Sequence, residues 1–71
     1  METLADRVRA LCDAHTATWT RQPQADGTVV CRLTLATGDV IAGTGADTAA
    51  AVTHLETRVA AYMAALAQEA A

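Results

Sequence analysis

Lysine is absent from this chain, and the absence narrows the function more than any motif does. The five basic residues are all arginine and face eight acidic ones, for a formal charge of −3. Nucleic-acid binders carry a basic stripe, because neutralising phosphates supplies most of their affinity. Here the arginines are scattered over Arg7, Arg9, Arg21, Arg32 and Arg58, so nucleic acid is not the expected partner. No apolar run approaches the ~18 residues of a membrane-spanning helix, and no basic, apolar and small-residue succession marks a secretory leader. A cytoplasmic protein without a membrane partner is expected. Cysteine is scarce too. Cys12 and Cys31 both fall on predicted buried faces, where a free thiol behaves as a small hydrophobe; a disulfide between them is the alternative.

Large apolar side chains are also in short supply. Hydrophobic residues make up 52% of the 71, but roughly half of those are alanine. A single domain of this size buries only about 60% of the surface its unfolded chain exposes. Its core rarely supplies more than roughly 3–5 kcal/mol net, a shortfall that small proteins often meet by oligomerising. One domain over residues 1–71, prone to self-association, is the expectation.

What is present fixes an architecture. Leu4, Val8, Leu11 and Cys12 share one face of a first helix over about 3–15, opened by Thr3 or Glu2, with Asp6 in its first turn and His15 at its end. β-branched alternation then predicts a strand over about 16–22 that carries Trp19, the single tryptophan, toward the core. Pro23-Gln24-Ala25-Asp26-Gly27 is a turn by composition. A second strand over about 28–36 alternates cleanly, with Val29, Cys31, Leu33 and Leu35 on one face and Val30, Arg32 and Thr34 on the other. Thr37-Gly38, read as a two-residue hairpin loop, pairs Leu35 with Val40 and Thr34 with Ile41 across a third strand over about 39–43. That register places Val40 in the core and Ile41 on the open face.

Gly43 to Ala46 reads as a break. Asp47 or Thr48 then caps a helix over about 47–69, in which Val52, Leu55, Val59, Tyr62 and Leu66 follow at spacings of three and four. Such a helix is longer than the strands, so its last turns are expected to overhang the sheet. The result is an α+β fold of order α-β-β-β-α, with a three-stranded antiparallel sheet and both helices on its one apolar face.

This order, the length of the chain and the glycine-containing lead into the last helix resemble the double-stranded RNA-binding domain fold over residues 3 to about 66. In that family a lysine-rich helix start grips phosphates; here the matching segment is Gly43-Thr44-Gly45-Ala46-Asp47-Thr48-Ala49-Ala50-Ala51, without a basic residue. The family's histidine-bearing loop between the first two strands here reads Gln22-Pro23-Gln24-Ala25-Asp26-Gly27, without histidine. The resemblance implies the topology, and with it the fold's other use in protein contacts and dimerisation.

No residue set points to catalysis. Cys12, His15, Cys31 and His54 are zinc-ligand types at spacings that match no compact site. A cysteine nucleophile would need an exposed thiolate beside its base. Gly43-x-Gly45 lacks both the Gly-Lys-Ser/Thr sequence and the third glycine of phosphate-binding loops. Neither metal, cofactor nor enzymatic activity is expected. The favoured reading is a non-catalytic protein-interaction module, an inhibitor or adaptor of bacterial or phage origin that binds a larger cytoplasmic protein as a homodimer. Val59, Tyr62, Met63 and Leu66 are its candidate dimer residues. Thr18, Thr20, Val30, Arg32, Thr34 and Ile41 on the open face, with Asp39 and Asp47, are its candidate partner-binding residues. Whether the last helix or the open face is the binding surface is left open. The alternative is a nucleic-acid binder of the double-stranded RNA-binding domain fold.

Overall fold

The computed structural model describes residues 2–70, so both ends of the 1–71 domain lie outside the described residues. Five elements follow in order: α1 (Leu4–His15), β1 (Thr18–Pro23), β2 (Val29–Thr34), β3 (Val40–Gly45) and α2 (Thr48–Ala70). The strands form one antiparallel sheet in the order β1-β2-β3, and both helices cover the same face of it.

Helix α1 opens with a reciprocal cap. The Asp6 amide donates to Thr3 Oγ1 at 3.1 Å, and the Thr3 amide donates to Asp6 Oδ2 at 3.2 Å, which satisfies two donors a helix start leaves unpaired. The helix ends at Thr16, which adopts left-handed geometry with φ 48°. A β-branched residue is strained there, and its use as the cap is why β1 begins at Thr18 rather than Thr16.

The two hairpins share one design. The Gln24 amide donates to Thr28 O, the Gly27 amide donates to Gln24 O, and Gly27 takes φ 92°. At the next turn the Leu35 amide donates to Asp39 O, the Gly38 amide donates to Leu35 O, and Gly38 takes φ 95°. Each is a three-residue loop, Ala25-Asp26-Gly27 and Ala36-Thr37-Gly38, whose glycine supplies the left-handed position. In the first loop Asp26 Oδ1 accepts from the Thr28 hydroxyl at 2.7 Å and from its amide at 3.0 Å, bonds that hold the carboxyl below its ordinary range.

The three-residue loop corrects the register of β3. Thr34 pairs with Val40, Leu33 with Ile41 and Cys31 with Gly43, one residue away from the two-residue expectation. Because side chains alternate with period two, this slip reverses the whole strand. Ile41 is buried in the core, and Val40 is 57% exposed on the opposite face. The strand also continues through the predicted break to Gly45.

The core consists of Val8, Val29, Cys31, Leu33, Leu35, Ile41, Ala51, Val52, Leu55 and Val59, with Trp19 half-buried against it on the helix side. Cys12 is only partly buried, and both cysteines are free thiols. Burial pushes the Cys31 thiol above its ordinary value. Helix α2 crosses β3 at very short range. A Cβ on Gly43 would collide with the Leu55 amide and lie 2.7 Å from Ala51 O; one on Gly45 would lie 2.5 Å from the Ala51 amide. The two glycines therefore form a docking platform for a helix backbone.

The two kinds of glycine respond differently to a methyl group. Gly38→Ala meets open space and only a left-handed backbone, so a loss of about 1 kcal/mol is expected. Gly43→Ala must push α2 away, at about 3 kcal/mol or more, which is comparable with the whole stability of a domain this size. Urea unfolding followed by Trp19 fluorescence reads both; equal effects would show that α2 does not rest on Gly43.

Candidate interaction surfaces

Register decides which side chains share the uncovered face of the sheet. Across β1, β2 and β3 these are Thr18, Thr20 and Gln22; Val30, Arg32 and Thr34; and Val40, Ala42 and Thr44. Five of the six sheet residues expected there, Thr18, Thr20, Val30, Arg32 and Thr34, lie together on this face. Ile41 does not, and Val40 takes its place at the edge. Arg32 Nη1 donates to Gln22 Oε1 at 2.7 Å across this face. The face therefore presents threonine hydroxyls around Val30, Ala42 and Val40, with one positive charge, on Arg32.

The two acidic residues expected to join this surface lie at opposite ends of β3 and serve the fold. Asp47 Oδ1 accepts from the Ala50 amide at 2.8 Å and caps α2. Asp39, at the β2–β3 turn, alternates to the helix side, where Oδ2 accepts from the Tyr62 hydroxyl at 2.5 Å and the Thr37 hydroxyl at 3.2 Å. They form no common acidic patch.

The expected dimer residues on α2 are divided in the same way. Val59 is buried in the chain's own core, because α2 runs back along β3 and is still over the sheet at that point. Tyr62 and Met63 pack partly against the same core. Leu66 is 42% exposed, on the overhanging end of the helix.

Three arginines are engaged within the fold. Arg7 forms a two-bond ion pair with Glu56 and donates to Thr53 Oγ1 at 3.1 Å, tying α1 to α2; Glu56 raises its pKa. Arg21 Nη1 donates to Thr48 Oγ1 at 3.0 Å, and Arg32 is held by Gln22 as described. Sequence spacing gave no sign of the Arg7–Glu56 pair, since its partners are 49 residues apart. His54 Nδ1 accepts from the Thr44 amide at 3.0 Å, on the outer side of β3. Among the described residues no three His, Cys, Asp or Glu side chains converge as metal ligands would, and no helix is long and apolar enough to cross a membrane.

Among the described residues, two of the grooves flank the sheet. One of about 540 Å³ follows the edge of β3 beneath α2 and is lined by Asp39, Val40, Ile41, Arg58, Ala61 and Tyr62. The other, of about 390 Å³, lies between α1 and β1 beside Leu4, Val8, Arg9 and Trp19. No protein-family model matches this chain, and no curated protein or solved structure matches it either. The likeness to the double-stranded RNA-binding domain thus rests on topology.

The Tyr62–Asp39 bond yields a direct test, because Tyr62 is the single tyrosine. The hydrogen bond to Asp39, then partial desolvation, then the charges of Asp39 and Glu69 raise the phenol above its ordinary pKa. A raised folded-state pKa means that its contribution to stability is complete below the unfolded phenol's pKa and is lost as pH rises through the folded value. Ultraviolet titration should give a higher midpoint for the folded chain than for the chain in urea, and Asp39→Asn should remove most of the difference. Coincident midpoints would show that the bond is not made in solution.

Proposed function

We propose that this chain is a non-catalytic protein-interaction module, an inhibitor or adaptor of bacterial or phage origin that acts in the cytoplasm as a homodimer and engages a larger protein. The observation that supports this reading is the uncovered sheet face. Both helices pack on the opposite side, so Val30, Val40 and Ala42 stand among threonines with no intramolecular use. An apolar centre within a polar, hydrogen-bonding rim suits a protein partner. Thr18, Thr20, Val30, Arg32 and Thr34 remain the proposed contact residues, joined by Val40 in place of Ile41.

The alternative nucleic-acid reading has less to draw on. It would rest on five arginines dispersed over the helices and strands, of which Arg7 is already paired with Glu56, in a chain of net negative charge. The segment that matches the family's phosphate-gripping helix start is capped by an aspartate that would repel phosphate.

The reading is tested by capture from a bacterial lysate with the tagged chain beside Val30→Asp and Arg32→Glu, folding being checked by circular dichroism. A protein partner retained by the wild type and lost, at least tenfold, by both variants is the expected result. Retention of RNA that falls steeply with added salt, or capture indifferent to both changes, would contradict it.

A further inference from the structure

We propose that the groove between α1 and β1 is a binding site for a small amphiphilic carboxylate, whose apolar chain or ring lies on Trp19 and whose carboxylate is held by Arg9. The site goes beyond the interaction reading above and does not depend on it.

The groove follows from where α1 is fastened. Val8 enters the core, and Arg7 ties the helix to α2 through Glu56. Toward β1 the helix presents Ala5 and Arg9, one turn apart. Ala5 has too little side chain to close the space over Trp19, which is left half-buried. The groove of about 390 Å³ that results is lined by Leu4, Ala5, Val8 and Trp19, with Arg9 and Thr48 as its polar groups. Small-molecule sites have this character: about 300–1,000 Å³, apolar and aromatic walls, and a few polar groups that orient the ligand.

Charge selects the head group. Arg9 is the one charged residue of this lining, is exposed, and makes no hydrogen bond or ion pair among the described residues. Arg21 follows Trp19 on the same face of β1. Its Nη1 donates to Thr48 Oγ1 at 3.0 Å, which brings a second guanidinium to the α2 end of the groove. The acidic residues near these elements in sequence are occupied elsewhere. Asp6 Oδ2 accepts from the Thr3 amide in the cap of α1, and Asp47 Oδ1 accepts from the Ala50 amide in the cap of α2. Asp13 lines a separate depression beside Cys12 and Thr16, and Glu2 acts on the charge of Arg7. The other large groove is different, because there Arg58 has Asp39 in the same lining.

A guanidinium binds a carboxylate through two parallel charge-assisted bonds. A purely polar anion would leave Leu4, Val8 and Trp19 unused, and a neutral hydrocarbon would leave Arg9 unused. A single negative charge also suits a chain of formal charge −3 better than a doubly charged phosphate does.

Trp19 is the single tryptophan and lies in the groove, so its emission reports binding directly. The test titrates the full chain with octanoate, octanol and octyl phosphate below their micelle concentrations, on the wild type, Arg9→Gln, Arg9→Lys and Ala5→Phe, with folding checked by circular dichroism. Octanoate should give a saturable shift in emission and bind about tenfold more tightly than octanol. Arg9→Gln should bring octanoate to the level of octanol, Arg9→Lys should keep the preference, and Ala5→Phe should abolish both responses by filling the groove. No saturable change, equal binding of octanoate and octanol, tighter binding of octyl phosphate, or indifference to Arg9→Gln would each overturn the site. Emission that shifts with protein concentration alone would overturn it in favour of a second copy covering the groove. A response to anionic lipid vesicles without one to octanoate would overturn it in favour of a membrane surface.

Discussion

The arrangement of this molecule depends on the contact between the backbone of α2 and two side-chain-free positions on β3. Gly43 and Gly45 lie under Ala50, Ala51 and Leu55 so closely that no other residue would fit. The contact brings Val52, Leu55 and Val59 onto Leu33 and Ile41 and so concentrates the few large apolar side chains in one place. It also fixes direction. Gly45 meets the first turns of α2 and Asp39 meets Tyr62, so the helix runs antiparallel to β3 along its full length. His54 can then reach around the edge to the Thr44 amide.

A thin core makes this economy necessary. With so much of the hydrophobic content in alanine, dispersion energy has to come from close backbone approach rather than from bulky interdigitation. Helix α1 is attached more lightly, by Val8 and the half-buried Leu4, Leu11 and Cys12, with the Arg7–Glu56 pair as its polar tie to α2. Beyond Met63 α2 has no sheet beneath it, and residues from Ala64 to Glu69 are exposed. One face of the sheet and one end of a helix remain uncovered, which is where the functional argument has to look.

The element order, the buried face of β2 and the core role of Trp19 were legible in the sequence, because periodicity reports the contrast between water and core directly. The handedness of β3 was not. Its alternation, Val-Ile-Ala-Gly-Thr-Gly, puts an apolar residue on either face at the start, so the turn alone decides, and Thr37-Gly38 read as two residues gives the wrong answer. The clue lay in the first hairpin: Ala25-Asp26-Gly27 and Ala36-Thr37-Gly38 both place glycine third, the left-handed position of a three-residue loop. Gly43 and Gly45 misled for a related reason. A glycine in a strand marks either a break or a close approach, and only the tertiary structure tells which. The same slip moved Ile41 out of the candidate surface and Val40 into it, and long-range partners such as Glu56 for Arg7 leave no local trace.

The most direct measurement is a nuclear Overhauser spectrum of the isotopically labelled chain, read at Gly43 and at the Val40 and Ile41 methyl groups. The account predicts strong cross-peaks from the Gly43 α-protons to the Leu55 amide and from Ile41 methyls to Leu33 and Leu55, with none from Val40 to α2's buried residues. Val40 contacts to Val52 or Leu55, together with a silent Gly43, would mean that β3 faces the other way and that the surfaces assigned here are inverted.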